Sequence, residues 1–325
     1  MVRAFVIRSL HLQGIMARHD LSPSALPAHV TLCEVGPRDG FQFEDTFIPT
    51  DEKVASITAL ADAGVPRIQV TSFVHPDWVP QMRDAEAVCA ALPARDDVVY
   101  SGLVLNMAGL ERALDTDLQH IDLSIATHDR HSRDNANMSV DEAVAQAEQM
   151  IGMARHAGVH VQLGFQTVFG YQDPGDTPLE QVVEMARHFA SFDIDSLSLA
   201  DSTGMANPRM VQERVTAVQD VVGDTPLVMH LHDTRGLGLA NVMEALSCGI
   251  HWFDTSLAGM GGCPFIPGAT GNIATEDTVY LLDQLGIETG VDGRAVANVS
   301  HRLEDLLDKT FAGTMHRLWS REVMA

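Results

Sequence analysis

The sequence predicts an α/β fold, a closed (β/α)8 TIM barrel with a C-terminal helical extension. From residue 30 onward, short runs rich in apolar and β-branched residues alternate with longer amphipathic segments, as in parallel strands joined by helical crossovers. About eight such runs fall within roughly 250 residues, the number that closes a barrel. The first run is followed by GPRDGFQ and not by the GxGxxG turn of an open dinucleotide-binding sheet. A closed barrel is therefore favoured over a doubly wound sheet.

Eight strands and several helices are predicted in chain order. Each predicted strand is a short apolar run that ends in polar or glycine-rich residues, and the runs are 30–34, 67–71, 98–105, 120–125, 160–165, 196–199, 227–230 and 252–256. Segment 51–63 predicts a helix with Thr50 as its N-cap, and 140–157 predicts one that stops at Gly158. Residues 286–325 predict a helical tail that packs on the barrel through Val296, Leu303, Leu306, Leu307 and Phe311.

The chain is expected to hold one domain. Its 325 residues are enough for one large barrel or for two domains, but no long Pro/Gly/Ser linker, charge block or internal repeat marks a second one. We therefore assign residues 28–325 to a single barrel domain that includes the C-terminal helices, and residues 1–27 to a flexible N-terminal extension. Arg3, Arg8 and Arg18 against the single acid Asp20 leave an organelle-targeting peptide as an alternative, and a true start at Met16 is another.

Charge and cysteine content exclude several classes of protein. The 21 Lys and Arg against 44 Asp and Glu give a net charge of −23, which argues against a general nucleic-acid surface and against binding to anionic membranes. No apolar run reaches the roughly 18 residues that a membrane span needs. The 4 cysteines lack CxxC spacing and are expected to be free thiols in a reducing compartment. That compartment is the cytoplasm, or the mitochondrial matrix if the N-terminal extension is a transit peptide.

Polar residues suited to catalysis cluster where the predicted strands end. Catalytic residues of TIM barrels lie at the carboxyl ends of the strands, so these side chains should share one rim. In chain order they are Glu34, Arg38, Asp39, Gln69, Thr71, Asp201, His230, His232, Cys263 and Asn272. Their convergence predicts an active site at that rim.

His230 and His232, in the string MHLHDTRGLG, predict a metal site. Two imidazoles at positions i and i+2 of a strand point to the same side, so both can bind one ion, although such a pair is as often structural when it stands alone. With one carboxylate and an amide oxygen, the pair suits Mg²⁺, Mn²⁺ or another divalent ion of octahedral preference that keeps positions open for substrate oxygens. A structural zinc site would use more sulfur.

Arg38 and Cys263 would supply chemistry beside the metal. Arg38 next to Asp39 is explained equally well, in isolation, by a plain ion pair on the rim. Beside a metal, a fixed cation is better explained as a stabiliser of oxyanion charge that develops during the reaction. Cys263 lies in the glycine-rich string GGCPFIPGATGN, where it can act as a proton donor or a nucleophile.

Four strings resemble the 3-hydroxy-3-methylglutaryl-CoA lyases, in the metal-dependent lyase branch of the TIM-barrel metallolyases. They are EVGPRDGFQ, TSFVHPDWVPQMRD, HLHDTRGLGLAN and AGMGGCPFIPGATGNIATED, and the resemblance runs from residue 30 to about residue 290. The loop pattern GGCPxxPGAxGN separates these lyases from the isopropylmalate and homocitrate synthases. The resemblance implies that the metal ligands are Asp39, His230, His232 and Asn272.

The same resemblance implies retro-Claisen cleavage of a 3-hydroxy-3-methylglutaryl-CoA-like thioester to acetyl-CoA and a 3-keto acid such as acetoacetate. Mg²⁺ or Mn²⁺ would be the cofactor. The protein would bind an acyl-CoA substrate and a second copy of itself in a homodimer, and it would bind neither nucleic acids nor membranes. Arg38 would stabilise the enolate, Cys263 would protonate it, and His230 or Asp201 would be the base. Further active-site residues would be Glu34, Glu276, Gln69 and Thr71.

Two departures from the family pattern concern the acyl side of the site. The resembling lyases usually have glutamate where Gln69 stands, so a negative charge near Arg38 is missing. Residues 124–139 carry His128, Asp129, Arg130 and His131 in place of a more neutral segment, and the string QLGFQTVFGYQDPGD lacks the expected tyrosine and cysteines. We therefore expect a lyase of the same reaction class that prefers a different acyl-CoA, with a longer or more polar branch at C3.

Two other function classes stay open at this stage. A Claisen-type synthase of the isopropylmalate and homocitrate synthase branch would share the metal site and would transfer an acyl group from acetyl-CoA to a 2-keto acid. A catalytically silent paralogue with a binding role would not need to keep both Arg38 and Cys263.

Overall fold

The computed structural model describes residues 26–262 and 271–319, and its strands form one closed parallel barrel. The strands are Thr31–Glu34 (β1), Arg67–Ser72 (β2), Val99–Val104 (β3), His120–Ala126 (β4), His160–Gln166 (β5), Ser196–Ala200 (β6), Leu227–His230 (β7) and Trp252–Thr255 (β8). Each strand pairs with its sequence neighbours, and β8 closes the barrel on β1. The predicted (β/α)8 barrel is confirmed, and the strand bounds agree with prediction to within one residue.

Helices surround the barrel and extend it at the C-terminus. They are Thr50–Asp62 (α1), Ala85–Ala91 (α2), Met107–Leu114 (α3), Asp129–Ala136 (α4), Val140–His156 (α5), Leu179–Phe189 (α6), Pro208–Val222 (α7), Gly238–Ser247 (α8), Thr275–Gln284 (α9), Gly293–Leu307 (α10) and Met315–Leu318 (α11). Short helical turns at Gly36–Gly40, Phe41–Phe43, Pro80–Met82 and Leu257–Gly259 shape the loops after β1, β2 and β8.

Helix α5 shows how local sequence sets an element of this barrel. Ser139 caps its first turn through a capping box with Glu142, which satisfies two backbone N–H groups. The helix buries Ala147, Met150, Ile151 and Ala154, a spacing of three and four residues that presents one apolar face to the sheet. The chain then leaves the helix at Gly158, whose φ of 78° suits glycine. The predicted helix and its stop are confirmed.

Two predicted details of the helices are wrong. Thr50 is the first residue of α1 and does not cap it; Pro49 occupies the cap position, and the Thr50 hydroxyl donates to the Asp84 carboxylate 2.7 Å away. Leu306 is 41% exposed, because it lies on the outer face of α10, whereas Leu303 is fully buried. The tail otherwise packs as predicted, with Val296 and Phe311 also in the core.

The barrel has an apolar layer between its sheet and its helices, and polar residues inside the barrel near the carboxyl ends of the strands. Successive strand residues point to opposite sides, so Ile68, Val70, Ile121, Val161 and Leu197 pack between sheet and helices and are almost fully buried. The inward positions near the carboxyl ends carry polar groups instead: Gln69, Asp122, Gln162, Ser198 and Asp254. These polar groups line part of a cavity.

Some predictions fall on residues that the structure does not describe. They are Cys263, all but two residues of the predicted extension 1–27 and residues 320–325 of the predicted tail, so the domain boundary after residue 27 stays a prediction. In the described part of the chain, Cys33, Cys89 and Cys248 are free thiols, as expected. None of the helices within the described residues has both the length and the apolar character to cross a membrane.

Candidate active site

A cavity of about 410 Å³ opens at the rim formed by the carboxyl ends of the strands. Strands β2 to β8 and the loop after β1 all contribute side chains to its wall. Of the residues predicted from the sequence, those that line it are Arg38, Asp39, Gln69, His230 and His232. The predicted convergence of these residues on one rim is present in the structure.

Asp39, His230 and His232 form a group of potential metal ligands. A ligand atom from each of the three lies within 4.8 Å of those of the other two. The Nε2 atoms of the two histidines are 3.1 Å apart, which is close to the roughly 3 Å between neighbouring ligands on an octahedral ion at about 2.1 Å. The sequence separates Asp39 from the histidines by nearly two hundred residues, and barrel closure brings them together.

Burial and charge hold these groups in the protonation states that bind metals. Burial lowers the pKa of His232 to about 3, so its ring is neutral and offers a lone pair. Burial opposes ionisation of Asp39, but Arg38 and the two histidines outweigh it and lower the pKa of this carboxyl. The site therefore presents an anionic oxygen and a neutral ring nitrogen near neutral pH.

Asn272 joins the group from the segment after β8, the strand that lies between β1 and β7. Its Nδ2 donates to Asp39 Oδ2 at 2.7 Å and to the Met260 carbonyl at 3.1 Å, which fixes the orientation of the amide. Its buried Oδ1 accepts no hydrogen bond from any described residue. A buried, unpaired amide oxygen beside a carboxylate and two imidazoles fits the donor set of a hard divalent ion.

Gly261 allows this close arrangement. Its φ is 105°, and a Cβ atom there would lie 2.7 Å from Asn272 Nδ2 and 3.3 Å from Asp39 Oδ2. Any side chain would therefore displace the amide or the carboxylate. The glycine-rich string after β8 is in part a packing requirement of the site.

Each of the two histidines also has an Nδ1 atom, and the surroundings of the two Nδ1 atoms differ. Nδ1 of His230 lies 3.2 Å from Asp254 Oδ2, a carboxylate–histidine pair that orients a ligating ring and leaves Nε2 toward the metal position. Asp254 lies on β8 and is 5% exposed. His232 Nδ1 is buried and has no hydrogen-bond partner among the described residues.

Arg38 lies at the edge of the ligand group and contacts it directly. Its guanidinium donates to the Asp39 carboxylate and, through Nε, to the Gln69 side-chain carbonyl. Gln42 donates to the same Asp39 oxygen at 3.0 Å. The arginine side chain is 11% exposed, so its charge acts in a site from which most water is excluded. A fixed cation beside a metal position is suited to stabilise an oxyanion.

Glu34 lies close to this site but does not line the cavity. Its carboxyl group is fully buried and accepts from the Gly36 and Leu257 amides at 2.8 and 2.9 Å and from the Thr275 hydroxyl at 2.6 Å. Burial raises its pKa to about 8, although these hydrogen bonds oppose the shift. Glu34 therefore joins the loops after β1 and β8 and touches no substrate space.

Glu276 and Thr71 also lie outside the cavity wall. Glu276 is fully buried, accepts from the Ala258 amide at 2.8 Å and from the Ser300 hydroxyl at 2.5 Å, and has a pKa raised by burial to about 7. Ala258 has a φ of 48°, so Glu276 supports a strained turn in the loop after β8. The β2–β3 register shifts between Gln69 and Thr71, and the Thr71 hydroxyl faces Met82 sulfur.

Asp201 follows β6 and is 1% exposed, while its chain neighbours Ala200 and Ser202 line the cavity. Its oxygens accept from the Met205 and Ala206 amides at 2.8 and 3.1 Å. Burial raises its pKa to about 6, against those two bonds. An acid with this pKa changes protonation state near neutral pH.

Sequence reasoning missed two acids of the barrel interior, Asp122 and Asp254. Each stands alone in an apolar strand, so each resembles a polar residue on the solvent side of a sheet. The one sequence signal for Asp122 is that it shares a strand face with two other polar residues, His120 and Ser124. His131 and Gln166, 3.0 Å apart, also line the cavity, and Gln162 lines it nearby.

Comparison with known proteins gives the same family at the levels of sequence and structure. The HMGL-like family model matches residues 29–302. A hydroxymethylglutaryl-CoA lyase of Bacillus subtilis is 38% identical over 283 residues, which cover 87% of this chain and 95% of that protein. A 3-hydroxy-3-isohexenylglutaryl-CoA/hydroxymethylglutaryl-CoA lyase of Pseudomonas aeruginosa is 37% identical, over 88% of this chain and 95% of that protein.

A solved structure from the same group resembles the whole barrel. It is an HMG-CoA lyase of Acinetobacter baumannii in complex with coenzyme A and 3-methylmalate, with a TM-score of 0.86 and 34% identity. The match covers 92% of this chain and 97% of that one. The resemblance inferred from the four sequence strings is confirmed.

Proposed function

Because the chain belongs to the HMGL-like family, we propose that it is a divalent-metal-dependent lyase that cleaves a 3-hydroxy-3-methylglutaryl-CoA-like thioester by retro-Claisen chemistry. The products are acetyl-CoA and a 3-keto acid, which is acetoacetate for the methyl substrate. The observation that carries the proposal is the ligand group Asp39, His230 and His232 beside Arg38 at the wall of one cavity. A carbon–carbon cleavage that passes through an enolate needs these two charge stabilisers in one place.

We assign the metal to Asp39, His230, His232 and Asn272, and Mg²⁺ or Mn²⁺ as the ion. Two imidazoles, one carboxylate and one amide oxygen suit a hard or borderline octahedral ion better than they suit structural zinc. When bound, such an ion polarises the tertiary hydroxyl and a neighbouring oxygen of the substrate and lowers the pKa of the hydroxyl. The unpaired Oδ1 of Asn272 supports this assignment.

The substrate hydroxyl must lose its proton before the carbon–carbon bond breaks, and Asp201 is the better candidate for the base. His230 has Nδ1 against Asp254, so only Nε2 is left, and the same lone pair cannot bind the metal and remove a proton. Asp201 has a pKa of about 6, and each of its oxygens keeps a second lone pair beside the amide that it accepts from.

Arg38 and Cys263 act on the part of the substrate that becomes acetyl-CoA. As the bond breaks, the electron pair passes into the thioester, and the Arg38 guanidinium stabilises the resulting enolate oxygen. The Cys263 thiol then donates its proton to the enolate carbon and forms acetyl-CoA. The support for Cys263 is its place in the GGCPFIPGATGN string, whose second residue, Gly262, lines the cavity.

The shape of the cavity favours a substrate whose branch at C3 is larger than methyl. Ser124, Gly164 and Ala200, near the ends of β4, β5 and β6, present small side chains to it. Behind Ser124 a second, smaller recess adjoins the cavity between Leu105 and Met138. His131 and Gln166 add polar groups to the same wall, and the Pseudomonas aeruginosa relative carries a longer-branched substrate in its name.

The test is to supply the Mg²⁺-loaded protein with 3-hydroxy-3-methylglutaryl-CoA and with homologues of longer C3 branch, and to quantify both products. Equimolar acetyl-CoA and keto acid support the lyase, and a higher kcat/KM for a longer branch supports the acyl preference. Equal or better turnover of the methyl substrate would refute that preference. Acyl transfer from acetyl-CoA to a 2-keto acid, without cleavage, would identify a synthase instead.

We further propose a homodimer located in the cytoplasm. Tyr280 is 43% exposed and Leu318 is 67% exposed, and their helices adjoin at the contact between Tyr280 and Trp319, so the C-terminal helices offer apolar surface for a second copy. The free thiols of Cys33, Cys89 and Cys248 fit a reducing compartment. Sedimentation equilibrium of the purified chain tests the dimer.

A further inference from the structure

Arg38 is linked to the opposite wall of the cavity through Gln69. The Arg38 Nε donates to the Gln69 carbonyl oxygen, and the Gln69 Nε2 donates to the Asp122 carboxylate. A glutamine has one accepting end and one donating end. Since Asp122 takes the donating end, the carbonyl end must face Arg38.

Asp122 is itself firmly held. It is 3% exposed, and it accepts from the Arg67 guanidinium at 2.6 Å and from the Ser101 hydroxyl at 2.6 Å in addition to the Gln69 amide. These partners come from β2 and β3, so three adjacent strands fix the position of one carboxylate. A charged hydrogen-bond acceptor with three donors has little freedom to move.

We propose that Asp122 is a positioning residue for the reaction, and that it sets the place of the Arg38 guanidinium through Gln69. This inference rests on the proposed function, because it concerns the cation that stabilises the enolate. Asp122 and Gln69 form a pair in which the carboxylate is on β4 and the neutral amide on β2. A carboxylate at position 69 would lie at hydrogen-bond distance from Asp122, and the two groups would either repel each other or share a proton, so the observed geometry requires a neutral donor at position 69.

The pair can be tested by exchanging its charge in a double-mutant cycle of Gln69→Glu, Asp122→Asn and both together. Gln69→Glu should lower kcat about 100-fold with little change in KM, because the new carboxylate loses its hydrogen bond to Asp122, moves away from it and carries Arg38 with it. Asp122→Asn should cost a similar factor, since Arg67 loses its ion pair and the Gln69 amide is no longer oriented. The double variant again has one carboxylate between Arg38 and Arg67, and it should recover most of the lost kcat.

Thermal unfolding of the same variants separates this inference from the proposed function. Gln69→Glu should lower Tm by roughly 5 °C, and adding Asp122→Asn should restore part of that loss, whether or not the protein cleaves any thioester. Gln119→Glu is the matched control: it makes the same charge change at an exposed side chain that donates only to the Asp117 carbonyl, and it should alter neither Tm nor kcat.

Non-additive recovery in both kcat and Tm is the expected result. Additive losses in kcat, or a Gln69→Glu variant as active as the unmodified protein, would overturn the positioning role. Absence of coupling in Tm would show that residues 69 and 122 do not act as a pair. If the unmodified protein releases no product from any branched thioester while the Tm coupling is present, the proposed function fails and the pairing stands.

Discussion

Glu34 and Asp39 are five residues apart in the sequence and both buried, yet the structure changes their acidity in opposite directions. Burial raises the pKa of Glu34 to about 8. Burial also tends to raise the pKa of Asp39, but Arg38 and two histidines surround this carboxyl and lower its pKa. Glu34 accepts three hydrogen bonds, from Gly36, Leu257 and Thr275, whereas Asp39 faces a cavity beside two further potential metal ligands. For these two acids, charged neighbours and the open cavity, more than burial, separate the one that belongs to the candidate metal site from the one that supports the loops.

The largest effect is expected when His232, which we propose binds the metal together with Asp39, is removed. In His232→Ala we expect bound divalent metal to be lost and lyase activity to fall by at least about 1,000-fold, because one of the three clustered ligands is gone. Metal content is measured by elemental analysis after gel filtration. His188→Ala, which removes a histidine on α6 that pairs with Glu148, should keep both metal and activity. Unchanged metal in His232→Ala would defeat the ligand assignment.

Arg38 should matter for the reaction more than for metal binding. Arg38→Lys keeps the charge but loses the fork that reaches Asp39 and Gln69 together, so we expect kcat to fall about 100- to 1,000-fold with metal retained. Steady-state kinetics and metal analysis of the same sample check this. Arg95→Lys, at the surface pair with Asp97, is the control and should behave as unmodified protein. A change in KM alone would mean that Arg38 only binds substrate.

If Asp201 is the base, kcat should depend on pH through the ionisation of its carboxyl group. A base must be deprotonated, so kcat should fall as the pH drops through about 6, the raised pKa of this carboxyl. Asp201→Asn should lower kcat about 100-fold and remove that acid limb from the pH profile. A variant that keeps the limb would exclude Asp201 as the base and return attention to His230.

Glu34 should give the smallest effect on catalysis. The amide of Glu34→Gln can accept from Gly36 and Leu257 and donate to Thr275, so the loops and kcat should be preserved. The effect should appear in stability: a group with a folded pKa of about 8 and an ordinary value of 4.5 binds its proton more tightly when folded.

The unmodified protein should therefore lose stability relative to Glu34→Gln as the pH rises from about 4.5 to 8, and the difference should level off above that range. Denaturant unfolding of both proteins at several pH values measures this difference. A large loss of kcat in Glu34→Gln with unchanged Tm would show instead that Glu34 takes part in the reaction.

Most of the fold was predictable because its signals are local. Each strand is a short apolar run with polar or glycine-rich ends, and the eight predicted runs agree with the structure. Thr50 is not the cap because α1 begins one residue earlier than predicted, with Pro49 at the cap position. The Thr50 hydroxyl instead donates to Asp84, a tertiary contact more than thirty residues away that the sequence around Thr50 does not indicate.

The candidate site was predictable in part for the same reason. His230, His232 and Asp39 follow strand ends, and the barrel rule places strand ends together. Asp122 and Asp254 lie within strands, where only closure of the barrel shows which face points inward. The exclusion of Glu34 from the cavity depends on hydrogen bonds from Leu257 and Thr275, more than two hundred residues along the chain.

The central claim is that the rim group holds one divalent ion and that this ion enables carbon–carbon cleavage. The most direct measurement is a titration of metal-free protein with Mn²⁺, in which bound Mn²⁺ and the rate of acetyl-CoA release are followed in the same sample. The account predicts one tight site per chain and a rate that rises in proportion to its occupancy. A full rate without metal, or a filled site with no acetyl-CoA from any branched thioester, would contradict it.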